Sequence, residues 1–501
     1  MAYLGLRGSS LRIVISLIAA TAFALQGYDQ ALMNGLVTLS TFDTTFPKMK
    51  DSNIEGTTVA IYEVGSAIGA FSCAFIGNIL GRRYTIFTAC CVCLVGIILQ
   101  ATPFALGQLI TARVITGLGV GALTATVPMW VAECSNANER GRRVLIQGSF
   151  VAIGTVTASW LEFGLYFTDS PANWRFPIAF QAFFILIVTS LVLFLPESPR
   201  WLIMKDRIEE AERVISALED LPADDEVVKD ELALIRESYL EEQRQSSSIF
   251  AMGPERQFHR AVLAVGIAIL AQMSGINIVT FYSDTVLEQQ LHYSATTARI
   301  FSGCIQIWQL VSASFAVLLI DRFGRRKLLL FGALGMCIVQ AALTGLMSTS
   351  NKDAAKASIF FYFAAMTFFP IGLLLIPFMY AAEIAPLSIR HKVTAIGACA
   401  NWLFNFLVAE VTPHAIASIK YRYYIVYACI NAFSVVVIYL FCPETKGRTL
   451  EEVDDFFIQS KSVFDTVKVE KTMPRNGVVT AARIRDAHAS EKETALHMEG
   501  C

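Results

Sequence analysis

Charge is scarce in this 501-residue chain: Asp, Glu, Lys and Arg supply 16% of it, against ~25% in ordinary soluble proteins. Neither sign dominates. Forty basic residues against forty-two acidic ones give a net charge of −2, so no basic footprint for nucleic acid exists. No Gly-x-x-x-x-Gly-Lys-Ser/Thr loop is present, which removes the usual cradle for a nucleoside triphosphate. No His-Glu-x-x-His occurs and the six His residues show no ligand spacing, so no metal or other cofactor is expected. A potassium-filter sequence is missing too. The eleven cysteines sit mostly singly in apolar runs, and Cys90-Cys91-Val92-Cys93 lacks metal-ligand spacing. What fills the chain instead is apolar: 54% of residues, 35 of them Phe. The mean hydropathy is +0.53, more apolar surface than a soluble fold of this size can hide, and a lipid bilayer supplies the missing burial.

A hydrocarbon core needs about 20 apolar helical residues per crossing. Such runs lie near 12–33, 58–77, 84–102, 108–132, 144–166 and 175–195. Six more lie near 260–284, 298–320, 328–348, 358–382, 393–413 and 421–442. The first run lacks a small-residue cleavage site and is read as a retained helix. Twelve crossings return the chain to its starting side. Arg82-Arg83, Arg140/Arg142/Arg143, Arg322/Arg325/Arg326/Lys327 and Arg390/Lys392 all fall in loops of that side, which places both termini in the cytosol. The predicted organisation is a short N-terminus (1–11), a six-helix bundle (12–196), a linker with two amphipathic helices (197–257), a second bundle (258–442) and a tail (443–501) largely disordered after about 460.

The two halves echo each other. Gly81-Arg82-Arg83 recurs as Gly324-Arg325-Arg326, Glu133 and Arg140 as Glu383 and Arg390, and Pro196-Glu197-Ser198 as Pro443-Glu444-Thr445. The offsets are 243, 250 and 247 positions, in the same order. A near-constant offset over three motifs implies two six-helix repeats, and repeats packed face to face enclose a site near the midplane. With no source of ATP energy, a secondary transporter is the leading reading and an enzyme is not expected.

At this point the chain resembles the sugar porters of the major facilitator superfamily, especially their fungal sugar and polyol branch. The resemblance runs from about residue 12 to 457. It rests on Gly27-Tyr28-Asp29-Gln30, Gly81-Arg82-Arg83, Arg113-x-x-x-Gly117-x-Gly119-x-Gly121, Pro196-Glu197-Ser198-Pro199-Arg200-Trp201, Gln272-x-Ser274-Gly275-x-Asn277, Asp321-x-x-Gly324-Arg325-Arg326 and Pro443-Glu444-Thr445-Lys446-Gly447. It implies an all-α membrane protein of twelve transmembrane helices in two pseudo-repeats. It also implies proton-coupled or facilitated uptake of a small hydroxylated solute at the plasma membrane, by a chain expected to act as a monomer.

Asp29 lies in the first run, where an ionised carboxylate is expensive and functional by default, and Arg113 in the fourth is its expected partner. The resemblance assigns the pair to proton coupling; a static ion pair is the plainer alternative. Gln272, Asn277, Gln309, Asn401 and Asn405 are amides that lipid cannot satisfy, so each should face the bundle interior. An amide offers donor and acceptor side by side, which suits vicinal hydroxyls, although helix–helix hydrogen bonding would use it equally well. The resemblance adds Tyr282, Phe378 and Trp402 to a solute site. Gln147 enters through a departure: relatives carry a sugar-binding Gln where Gly148 stands. Other departures are Asn78 for an acid, Ala31 for a glycine and Phe378 for a tryptophan.

Arg82, Arg83, Arg140, Arg325, Arg326 and Arg390 are expected to pair with Glu133, Glu197, Glu383 and Glu444 as a lock when the cytosolic mouth closes, one that must break for it to open inward; topology determination alone is the plainer alternative. Glu63, Glu162 and Glu410 read as interfacial or structural acids near the opposite helix ends. The rival readings are a facilitator or exporter of a specialised metabolite on the same fold, and a non-transporting nutrient sensor.

Overall fold

The computed structural model describes residues 3–135, 140–244, 248–251, 253, 256–349, 351–386, 389–448 and 450–473. Among these no strand occurs. The N-terminal half contains α1 (Gly8–Leu36), a short α2 (Ser40–Thr45), α3 (Ser52–Leu80), α4 (Arg82–Ala101), α5 (Leu106–Glu133), α6 (Arg140–Tyr166) and α7 (Ala172–Val192). Three connecting helices follow: α8 (Pro199–Met204), α9 (Ile208–Glu219) and α10 (Glu226–Arg244). The C-terminal half contains α11 (Gln257–Gln272), α12 (Ile276–Thr285), α13 (Ala295–Phe323), α14 (Arg325–Met347), α15 (Lys352–Gly372), α16 (Ile376–Ile384), α17 (Arg390–Ser418) and α18 (Arg422–Phe441). Short helices α19 (Leu450–Gln459) and α20 (Thr466–Thr472) close the described chain.

Ten stretches are long and apolar enough to cross a bilayer, counting α11 with α12 and α15 with α16 as single crossings. With α3 and α6, of 29 and 27 residues, they make twelve, six to each half. The chain therefore returns to one face, called here the termini face, and the opposite one is the far face.

Apolar surface is buried in two cores, one centred on α1 and α3–α7 and joined by Phe281, Tyr282, Trp402 and Ala409 of α12 and α17, the other on α11–α18. The Arg113-x-x-x-Gly117-x-Gly119-x-Gly121 pattern shows why the helices can pack so closely. Gly117 and Gly121 follow Arg113 at helical spacing on α5, and a methyl at either would run into the Tyr62 or Ser66 carbonyl of α3. The close backbone seam leaves the Arg113 guanidinium in reach of α3.

Several boundaries differ from the sequence expectation. The α1 helix starts at Gly8 instead of 12, because the charge of Arg12 is met by Glu219 at the end of α9. Two expected continuous runs are broken. One breaks between Gln272 and Ile276, where Gly275 has φ +86, and the other between Gly372 and Ile376, ahead of Pro377. Expected disorder after about 460 does not begin there: α20 lies beyond it, with Thr466 buried and Arg448 donating to the Glu470 carbonyl at 2.9 Å. Residues 474–501 lie outside the described part. The linker helices are present, and α9 buries Ala211, Val214, Ile215 and Leu218.

Candidate functional site

Tyr28 and Asp29 are adjacent on α1, so their side chains leave the helix about 100° apart. Tyr28 turns to α7 and donates to the Pro177 carbonyl at 2.8 Å. Asp29 turns to α5, where Arg113 Nη1 lies 3.9 Å from its Oδ1; both side chains are essentially inaccessible to solvent. Neither Asp29 oxygen accepts a hydrogen bond among the described residues. Arg113 spends its Nη2 on the Val59 carbonyl of α3 at 2.7 Å and lies 5.3 Å over the Tyr62 ring. At this separation the attraction is about 4 kcal/mol for an effective dielectric of about 20. Desolvation removes several kcal/mol for each ion, so the pair is poorly explained as a stabilising bridge.

The Tyr62 ring meets Trp402 of α17 edge-on at 6.4 Å, which carries the connection from the N-terminal half to the C-terminal half. Beside Trp402 on the same helix stands Asn401, the acceptor of a 2.7 Å bond from Gln272 Nε2. Asn277 Nδ2 in turn donates to Gln272 Oε1 at 3.2 Å. These three expected amides thus form one chain across the α11–α12 break. The break is itself built from polar groups. Gln340 and Asn431 both donate to the Ser274 carbonyl, at 3.2 and 2.9 Å, satisfying an acceptor that an unbroken helix would have paired internally.

The other expected residues sit elsewhere. Asn405, one turn beyond Asn401, donates to Glu63 Oε1 of α3 at 3.0 Å. Gln309 accepts from Thr155 of α6 at 3.4 Å. Gln147 is buried on α6, and neither amide atom has a hydrogen-bond partner among the described residues. Tyr282 is fully buried and its hydroxyl is committed to the Ala409 carbonyl at 2.8 Å, so in this conformation it offers no hydroxyl to a solute. Phe378 is 42% exposed on α16 and belongs to neither core.

Hydrogen bonds between the halves, among the described residues, run from mid-membrane to the far face. Asn34 near the end of α1 donates to Ser283 and Ser302, both at 3.1 Å, and accepts from the Asp284 N–H at 3.0 Å. Arg299 donates to Thr38 at 2.5 Å and lies 4.1 Å over the Tyr166 ring, both in the other half. Within its own half it pairs with Glu288 at 2.8 Å, while Glu162 and Asp284 are buried nearby. Thr57 donates to Glu410 at 2.7 Å. This face is closed.

The repeated charges of the termini face pair inside each half. Arg82 makes a two-pronged bridge to Glu133, both bonds 2.9 Å, and Glu197 accepts from the Arg82 and Arg83 backbone N–H groups at the start of α4. The C-terminal half repeats this. Arg325 bridges to Glu383 at 2.9 Å, and Glu444 accepts from the Arg325 and Arg326 N–H groups at 2.8 and 3.2 Å. The Arg83 and Arg326 side chains donate to the Leu195 and Tyr439 carbonyls, and Arg390 to that of Ala385, again within their own halves. In this conformation, with the far face closed, the pairs at these residues lie within each half: the first N–H groups of α4 and α14 lack intrahelical partners, and Glu197 and Glu444 accept from them. The Arg140 side chain lies outside the described residues.

Sequence reasoning missed three features. Gln306, buried with both amide atoms unpartnered among the described residues, was open to the same argument that selected Gln309. The Arg299 cluster was not singled out: Arg299 lies at the edge of the run near 298–320. Glu63, read as an interfacial or structural acid, lies eleven residues into α3, about 16 Å along the axis.

A family model described as "Sugar (and other) transporter" matches residues 15–457. The chain is 35% identical over 471 residues to Sugar transporter STL1 of Saccharomyces cerevisiae, covering 91% of this chain and 83% of that one. It is also 35% identical over 469 residues to the MFS-type transporter oryC of Aspergillus oryzae, covering 91% and 87%. The fold is similar to that of the proton:xylose symporter XylE bound to 6-bromo-6-deoxy-D-glucose. That match has a TM-score of 0.77, 24% identity, and coverage of 90% of this chain and 100% of that one.

Proposed function

Since the chain belongs to the sugar (and other) transporter family of the major facilitator superfamily, we propose that it carries a sugar or polyol together with a proton, by alternating access. The observation that carries this reading is the buried Asp29–Arg113 pair, connected through Tyr62 and Trp402 to the Asn277–Gln272–Asn401 amides. Protonating Asp29 cancels the charge facing Arg113, whose remaining hold is the α3 backbone at Val59. A change in that hold moves α3, and α3 packs on α17, which bears Asn401, Trp402 and Asn405. The proton site and the amides thereby share one mechanical element. Amides in a water-poor site suit hydroxyls, since each hydroxyl both donates and accepts. The direction is uptake at the plasma membrane with both termini in the cytosol, a reading supported by the arginines concentrated on the termini face. The chain works as a monomer in the bilayer.

The test is uptake of labelled hexoses, pentoses and polyols in a transport-null host, with and without a protonophore, for the wild type and Asp29→Asn. The wild type should accumulate one solute uphill only while the proton gradient lasts. Asp29→Asn should lose accumulation and keep counterflow exchange. Undiminished uphill uptake in that variant would remove Asp29 from the coupling step.

A further inference from the structure

We infer that Glu63 is a second proton-carrying acid, held protonated in this conformation by a two-bond pairing with Asn405, and that the solute competes with it for that amide. The inference rests on the proposed proton coupling. Its evidence is a matched remainder of unpaired atoms. Glu63 is 1% exposed, as is Asn405. Asn405 Nδ2 donates to Glu63 Oε1 at 3.0 Å, which leaves Glu63 Oε2 and Asn405 Oδ1, and neither finds a partner among the described residues. Two leftover acceptors cannot satisfy each other. One proton on Oε2 resolves both, because a carboxylic acid and a primary amide each present a donor and an acceptor side by side. An ionised Glu63 leaves two buried acceptors unmet, and each unmet buried group is strongly unfavourable where water cannot reach.

The position gives the pairing a consequence. Glu63 is on α3 and Asn405 on α17, so the pair joins the two halves at mid-membrane. Glu63 lies one turn past Val59, the residue whose carbonyl holds Arg113. The titratable and charged groups around it are Asp29 from α1, Arg113 from α5 and its neighbour Tyr62, which Cys93 of α4 faces in turn; Glu55 and Glu410 lie further along α3 and α17 toward the far face. Asn405 is the only group bridging it to the opposite half among the described residues. When a solute hydroxyl takes Asn405, the Glu63 O–H loses the amide oxygen and turns to an oxygen of the solute, so no O–H bond breaks and the proton stays on Glu63. The ionised form remains disfavoured, because Glu63 is buried and shares its one nearby cation, Arg113, with Asp29. Proton on Glu63 and solute at Asn405 are then carried together.

The decisive variant is Glu63→Gln, which preserves shape and an acceptor for Asn405 but cannot release a proton. Purified protein in sealed vesicles serves for two readouts: uphill accumulation against counterflow, and the carbonyl stretch of a protonated carboxyl in infrared difference spectra taken with and without the solute. The wild type should accumulate solute and show a protonated-carboxyl band that shifts in frequency on solute addition. Glu63→Gln should exchange solute without accumulating it and should lack that band. Undiminished accumulation by Glu63→Gln, beside a wild type that accumulates, overturns the role of Glu63 and leaves the Asp29 reading intact. A wild-type spectrum equal to that of Glu63→Gln overturns the protonated pair directly. A wild type that never accumulates any solute overturns both, since a proton carrier then has nothing to drive.

Discussion

Replacing Arg299 by alanine should open the far face. The guanidinium has two attachments in the other half, the 2.5 Å bond to Thr38 and the 4.1 Å placement over Tyr166. A charge-assisted hydrogen bond contributes about 1.5–3 kcal/mol, and a desolvated cation–π contact about 2. Their sum, about 3–5 kcal/mol, shifts a two-state equilibrium by roughly 10²–10⁴-fold. The carboxylates of Glu162, Asp284 and Glu288 would also lose their shared cation, and their mutual repulsion acts in the same direction. The assay places a cysteine at Ser302, buried against Asn34 when the face is closed, in a chain whose exposed Cys91 and Cys429 are replaced by alanine. An impermeant thiol reagent is then added to the far face of sealed vesicles. Arg299→Ala should raise the labelling rate of this reporter by the factor above, while Arg299→Lys, which keeps the charge without the planar stacking, should fall between. A rate within about twofold of the parent, the range expected of uncoupled sites, would refute the idea that these contacts hold the face shut.

Two further outcomes follow from the geometry. Gly275→Ala places a side chain at φ +86 and brings its Cβ to 2.7 Å from Gln340 Nε2 and from the Tyr427 ring, so thermal unfolding in detergent should show a loss of about 2–4 kcal/mol; a midpoint equal to wild type would mean the break is not built on that glycine. Glu197→Ala and Glu444→Ala each strip the starting N–H groups of α4 and α14 of a carboxylate acceptor, and should destabilise by about 1.5–3 kcal/mol. Unfolding midpoints should fall by similar amounts in the two variants, and a large effect in one with none in the other would contradict equivalent roles in the two repeats.

The fold was largely legible because lipid makes composition informative. Runs of apolar residues marked all twelve crossings, and charges or amides inside them stood out against that background. Asp29 and Arg113 could be paired from sequence alone for this reason, and they lie 3.9 Å apart. The partners of the amides were not legible. Gln272 and Asn277 are five residues apart, a separation that does not share a face on a continuous helix; the turn at Gly275 brings them into contact. Depth was misjudged where a helix extends beyond its apolar run. The run near 58–77 put Glu63 close to the surface, whereas α3 begins at Ser52, so Glu63 faces Asn405 at mid-membrane.

The same comparison alters what the repeated charges mean. Arginines and glutamates duplicated at one face read as a lock that forms when the cytosolic mouth closes; with the far face closed instead, Arg82–Glu133 and Arg325–Glu383 each tie the start of one helix to the end of another within a single half. Glu197 and Glu444 add a carboxylate at the same helix starts, where Gly81 and Gly324 turn with φ +84 and +91. Such bonds stiffen each half without joining the two. The hydrogen bonds that join them include Asn34 to Ser283 and Ser302, Arg299 to Thr38, Thr57 to Glu410, Thr155 to Gln309 and Asn405 to Glu63, and these side chains have alternatives in water or in a hydroxylated solute. Two internally braced bodies joined by exchangeable hydrogen bonds, beside apolar contacts such as Tyr62 on Trp402, suit the proposed alternating access, in which a solute replacing Glu63 at Asn405 would act on one of the joining bonds.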